Sequence, residues 1–124
     1  LPNILNCLKY LHENGCKWDE ETCSAAVYYG YIEVLRYAID NGCVHNSRTC
    51  ANAASGASVD CLKYLHEKGC SWNHSTCLYA CGVGSLDCLK YAIENNCPYN
   101  KQQCVNEANT NNHVHIINYL NSLV

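Results

Sequence analysis

The sequence predicts an all-α array of stacked helix pairs, and three observations carry that expectation. A unit of 27 residues is written four times without drift, its apolar residues recur at helical spacing, and turn-forming residues stand at fixed places in every unit. The units start at Cys7, Val34, Cys61 and Cys88 and span 7–33, 34–60, 61–87 and 88–115, with partial units at 1–6 and 116–124. Self-similarity at a fixed period of this length signals an array in which each unit buries its apolar face against its neighbours. Both ends fall inside a unit, so the chain is expected to be a piece of a longer array.

Each element follows from the residues of one unit. Cys7, Leu8, Tyr10 and Leu11 make a single apolar stripe at helical spacing, which predicts a first and longer helix. Gly15 stands where a left-handed residue ends that helix, and Gly42, Gly69 and Asn96 fill the same slot. After a short connector, Asp19, Asn46, Asn73 and Asn100 occupy an N-cap slot for a second, shorter helix. There Cys23, Ala26 and Val27 share one face, as do Cys50, Ala53 and Ala54, and small residues of this kind allow two helices to approach closely. Gly30, Ala57 and Gly84 mark the tight turn into the next unit. The stretch Cys104–Asn112 is one residue longer than its counterparts, which predicts an irregularity near Asn109–Asn112. Tyr10, Tyr37, Tyr64, Tyr91 and Tyr119 share a packing slot, with each hydroxyl expected to find a partner at the edge. Trp18, His45, Trp72 and Tyr99 share another, just before the N-cap, and are expected to cover the connector.

Charge removes several classes of function. The net charge is −3, and Lys9, Arg36, Lys63 and Lys90 are each followed four residues on by Glu13, Asp40, Glu67 or Glu94. On a helix that makes a solvated stripe of both signs, not the one-signed patch that a nucleic-acid backbone attracts. There is no apolar run of about 18 residues and no signal-like start, so neither a membrane nor secretion is expected. A reducing, cytoplasmic setting follows from the cysteine usage.

Twelve cysteines would ordinarily suggest a disulfide scaffold or metal sites. Eleven of them instead fill three repeat slots, with only Cys81 outside. Equivalent residues on stacked helices lie about 8–10 Å apart, beyond the roughly 7 Å between Cα atoms that a disulfide spans. The expectation is therefore free thiols packed as small hydrophobes, although pairs such as Cys16 with Cys23 could come closer. Zinc is the sharper alternative, through His12, Cys16 and Cys23 or His66, Cys70 and Cys77. Units two and four keep both cysteines but put Ile39 and Ile93 in the histidine slot, which reads as volume exchange in packing, so no metal or cofactor is expected. His12 with Cys16, or His66 with Cys70, one helical turn apart, could be proposed as nucleophile and base. No phosphate loop, paired carboxylates or serine motif accompanies it, so the chain is not expected to be an enzyme or to take a small-molecule substrate.

The run ETCSAAVYYGYIEVLRYAIDNG, residues 21–42, resembles an ankyrin repeat: a small-residue helix, a turn, then a helix ending in Asn-Gly. Tyr31-Ile32-Glu33, Ser58-Val59-Asp60 and Ser85-Leu86-Asp87 stand in the turn slots, and the match recurs in register over the whole chain. Two departures matter. The period is shorter than the family's, with the missing residues in the connector Cys16–Asp19, leaving no length for a β-hairpin finger. Thr22-Cys23-Ser24-Ala25 replaces the Thr-Pro-Leu-His signature. The chain is similar to the short, Cys-rich ankyrin-like repeats of protist and giant-virus arrays. The resemblance implies an ankyrin-like α-solenoid, monomeric as a fragment, that binds another protein along a concave face lined by the second helices. It also implies the narrower role of recruiting a target for a larger host-interaction or ubiquitin-ligase adaptor.

Slots that repeat hold the fold, and slots that vary are free to hold function. The varying positions are the outer side of the second helix and the connector: Glu21 and Ala25, Ser55, Gly82 and Asn109, and Lys17 and Ser71 among them. The candidate partner contacts are Tyr28, Tyr29, Arg48, Asn52, His74, Tyr79, Gln102 and Asn106, with the tyrosines as anchors because interface hot spots are rich in Tyr, Trp and Arg. Two alternatives stand beside this reading, a spacer array without a dedicated partner and a zinc- or redox-responsive Cys/His array.

Overall fold

Two helix ends per unit direct the path of the chain. The computed structural model describes residues 4–15 and 20–123. Among them every regular element is a helix: α1 (Ile4–Glu13), α2 (Glu20–Tyr28), α3 (Ile32–Asp40), α4 (Ser47–Ser55), α5 (Val59–Glu67), α6 (His74–Val83), α7 (Leu86–Glu94), α8 (Lys101–Thr110) and α9 (Val114–Ser122). None of these is long and apolar enough to cross a membrane.

The starts and stops are those that the repeat slots specify. The Asn46 side chain accepts from the Arg48 and Thr49 amides, and Thr49 Oγ1 accepts in return from the Asn46 amide, a complete capping box. Asn73 and Asn100 cap α6 and α8 with one side-chain bond each, accepting from Ser75 N and Gln103 N. Asp19 lies outside the described residues. At the far ends, α1 to α8 are each followed by a residue of positive φ, and one of these is Ala57 at 55°. Behind it the next amide reaches back to the carbonyl five residues earlier, as in Tyr31 to Ala26, Cys43 to Ala38, Ser58 to Ala53 and Cys70 to Leu65. This is a Schellman ending, and it recurs at every helix from α2 to α8. Asn41 and Asn95 add a side-chain bond to the Tyr37 and Tyr91 carbonyls.

The helices stack in two rows. One holds α2, α4, α6 and α8; the other begins α1, α3, α5, α7, and each helix of the first row also packs on the helix that follows it. Between the rows lies a continuous core in which Leu35, Leu62, Leu65, Leu89, Ile116 and Leu120 are the largest buried side chains. Cys23, Ala26 and Val27 are buried together, as are Cys50, Ala53 and Ala54. These small residues let the neighbouring helices of this row pack closely, α2 on α4 and α4 on α6. Gly56 makes the approach between α2 and α4 possible: a Cβ there would stand 2.1 Å from the Tyr28 carbonyl oxygen.

Three expectations need correction. From the second unit on, the first helix of a unit is not the longer one: α3 and α4 each have nine residues, and α6 and α8, with ten, exceed α5 and α7, with nine. Cys7 and Tyr10 are exposed, unlike Cys61 and Cys88 or the later tyrosines of their slots. In that row α3 packs on α1, α5 on α3 and α7 on α5, whereas α1 is the first described helix. The basic residues do more than edge a solvated stripe, since Lys9, Arg36, Lys63 and Lys90 sit 5.3–5.7 Å from the ring centres of Tyr37, Tyr64, Tyr91 and Tyr119 in the next unit. The extra residue of the fourth unit is absorbed as foreseen: α8 runs on to Thr110 and Asn112, at φ 61°, takes the left-handed position. There His113 and His115 donate from Nε2 to the carbonyls of Gly82 and Gly84 at 3.1 and 2.9 Å, closing the end of α6.

Glycine substitutions separate backbone strain from crowding. Gly42 has φ 86° and nothing within 4 Å of an added Cβ. Gly42→Val is expected to cost more than about 1 kcal/mol from backbone strain alone, whereas Gly42→Asn should be nearly neutral because Asn96 occupies the same slot at φ 68°. Gly56→Ala should cost about 2–3 kcal/mol, since a backbone oxygen must move. Ala57→Gly should gain about 0.5–1 kcal/mol by relieving the left-handed alanine. Urea unfolding of the four variants checks the order.

Candidate functional site

The first-row helices turn their varied slots outward, because the small residues of the opposite face are consumed by packing. Arg48 and Asn52 lie one turn apart on α4, and Tyr79 stands opposite them on α6. With Ser47, Ala51, Asn73 and Ser75 they line an open groove of about 320 Å³ between the two helices. Arg48 and Tyr79 are exposed and Asn52 is half-buried. Asn73 is fixed by its capping bond to Ser75 N, so one wall of the groove is held by the start of α6 itself. His74 is exposed at the first position of that helix but does not line the groove.

A second group forms at the end of α2. Tyr28 meets Tyr29 edge-on at 5.2 Å between ring centres, and Tyr29 stacks on Tyr31 at 6.1 Å. The three are 48%, 66% and 44% exposed, an amount of aromatic surface that a protein interior normally absorbs. Tyr29 stands past the helix end, in the turn, and that position lets it reach both neighbours. On α8, Gln102 Nε2 donates to Asn106 Oδ1 at 2.8 Å, and both residues are exposed. The eight candidates thus fall into an α4–α6 groove, a tyrosine cluster, a polar pair on α8 and the separate His74. Sequence reasoning missed Tyr31 as a member of the cluster, although Tyr28-Tyr29-Gly30-Tyr31 spells it out. It also missed Ser47, Ala51, Asn73 and Ser75, which become groove walls only when two helices meet. Lys17 and the Glu21 side chain lie outside the described residues.

His66 and Cys70 do not face one another. His66 stacks on Trp72 at 4.3 Å, and its Nδ1 shares a 2.8 Å hydrogen bond with Tyr91 Oη. Cys70 points elsewhere, toward Cys50 Sγ at 3.2 Å and the Asn46 carbonyl at 3.1 Å. Among the described residues no three His, Cys, Asp or Glu side chains are placed to hold a metal ion. Cys16 and its pairing with Cys23 lie outside the described residues.

The described cysteines are free thiols, as expected, and several of them meet where a comparison of equivalent slots does not look. Contacts run between adjacent units: Cys23 with Cys43, Cys50 with Cys70 and Cys77 with Cys97 join different slots 20 residues apart, and Cys81 meets Cys104. The spacing rule applied only to equivalent positions, and a chain that doubles back twice per unit brings unlike positions together. Burial pushes the Cys23 thiol up, and burial with the nearby Asp60 carboxylate pushes Cys61 up to about 11. Both therefore pack as neutral groups.

No protein-family model matches this chain, and no curated protein is similar enough to count as a relative.

If the tyrosines are surface residues as placed, Tyr28→Ala combined with Tyr79→Ala should leave helicity unchanged and shift the melting temperature by no more than about the 0.5 kcal/mol typical of surface changes. Circular dichroism with thermal melting reads both.

Proposed function

We propose that this chain is an ankyrin-like repeat array that binds another protein along the face presented by α2, α4, α6 and α8. The observation that carries this reading is the gathering of Arg48, Asn52 and Tyr79 around one groove, on the row whose outer slots vary between units. The exposed Tyr28–Tyr29–Tyr31 cluster on the same row supports it, since large aromatics on a rigid scaffold are the usual anchors of an interface. The helix pairs stack in register, each touching its neighbours, as a solenoid requires. In this reading the face is the concave one, the chain works without a cofactor, and the setting is a reducing compartment. Recruitment for a larger adaptor protein belongs to the same proposal and rests on the resemblance alone.

A photo-crosslinking amino acid placed at Tyr79, and in a second protein at Lys63 on the other row, tests the face in source-cell lysate under reducing conditions. A single protein captured from position 79 but not from 63, and lost when Tyr28 and Arg48 are changed to Ala, is the expected result. Capture from 63 alone would move the interface to the other row. No specific capture from either would favour the spacer array.

A further inference from the structure

Away from that face, the densest chemistry in the molecule is its buried sulfur, and one pair differs from the rest. Cys50 Sγ donates to Cys70 Sγ across 3.2 Å, and Cys70 Sγ in turn donates to the Asn46 carbonyl at 3.1 Å. A disulfide needs about 2.05 Å between sulfurs, so closing the bond takes a movement of about 1.1 Å. Cys50 is fully buried while Cys70 is 5% exposed, so a small oxidant reaches Cys70 first.

The second difference is a base. His45 adjoins Cys70, and its Nδ1 is buried without a hydrogen-bond partner. The equivalent slots hold Trp18, Trp72 and Tyr99, so no other unit puts an imidazole there. The hydrogen bond from Cys50, aided by His45, lowers the Cys70 thiol from its ordinary value in spite of its burial. The same shared bond, with burial, drives Cys50 upward, so of the two sulfurs Cys70 is the one that lies beside the imidazole and reaches the surface. Cys77, beside Cys97, is also driven up, with Trp72 and no base in that slot.

We propose that Cys50 and Cys70 are a reversible disulfide site, oxidised by a peroxide, in which His45 takes the Cys70 proton. The sulfur of Cys70 attacks one oxygen of hydrogen peroxide and the O–O bond breaks, leaving a sulfenic acid on Cys70. The departing hydroxide recovers the proton from His45 and leaves as water. Cys50 sulfur then attacks the Cys70 sulfur; the S–S bond forms, the S–O bond breaks, and the Cys50 proton leaves with the hydroxyl group as a second water. Two thiols lose two electrons and one peroxide becomes two waters. A dithiol reductant reverses the change by exchange. The bond would tie the connector before α6 to α4, the helix that carries Arg48 and Asn52, yet the inference stands whether or not that face binds a partner.

The folded, unaltered chain is treated with hydrogen peroxide, the remaining thiols are alkylated at intervals, and linked peptides are sequenced by mass spectrometry. The Cys50–Cys70 link is expected to form before links joining Cys23 to Cys43 or Cys77 to Cys97, and to disappear on addition of dithiothreitol. H45Q should slow it by at least about tenfold with an unchanged melting temperature in reducing buffer. C50A should leave Cys70 as a sulfenic acid that dimedone captures. If Cys50 and Cys70 both remain alkylatable after the exposed Cys7 is consumed, the site does not exist. Equal rates for the three pairs, or an unaltered rate in H45Q, would equally overturn the assignment.

Discussion

Everything in this structure depends on the left-handed residue that ends each helix. At α1 to α8 the backbone turns through positive φ, and from α2 onward the next amide closes on the carbonyl five residues back. This bond satisfies a carbonyl that the helix leaves open and reverses the chain within two residues. A reversal so short forces consecutive helices into contact, and with two per unit the rows follow. It also explains why the slot tolerates Gly, Asn and, at 57, Ala, but no branched residue in this sequence. The cysteine after Gly42, Gly69 and Asn96 is the apolar residue that such an ending buries beneath itself.

That placement gives the sulfur its two characters. A thiol is small enough to lie under a tight turn and apolar enough to favour burial, so Cys43, Cys70 and Cys97 serve as packing groups. The same turn delivers each of them to a second thiol on the helix of the unit before. Whether such a contact remains packing or becomes chemistry is decided by its neighbours: Trp72 offers only area, whereas His45 offers a base. The repeating architecture thus carries one non-repeating site at low cost to the fold, because a ring replaces a ring.

The outer edges show the same economy. A cation from each unit lies over the tyrosine of the next, and Tyr64 Oη donates to Asp40 Oδ1 at 3.4 Å. These contacts cross between units and hold one unit in register with the next. Each is worth about 0.5–1 kcal/mol at an exposed position, small singly but repeated along the array. The first row has no such ladder among the described residues; its outer positions differ from unit to unit, and there the groove and the tyrosine cluster lie.

The sequence alone determined the all-helical class, the places where helices begin and end, the inward faces of the first-row helices, and the extra residue absorbed before Asn112. These are local matters: a capping Asn, a residue that accepts positive φ and an apolar stripe act within a few residues of themselves, so a repeated text reveals them. The outward placement of Tyr28, Arg48 and Tyr79 was legible for the same reason, because helical periodicity assigns a face. Only the tertiary structure decided what each face meets. That Arg48 and Tyr79 share a groove, that Gly56 admits the Tyr28 carbonyl, and that His113 and His115 close the end of α6 all depend on distances between elements. The Cys50–Cys70 contact is the clearest case. Its partners are 20 residues apart and occupy different slots, so comparing equivalent positions could not find it; two reversals of the backbone had to bring them together.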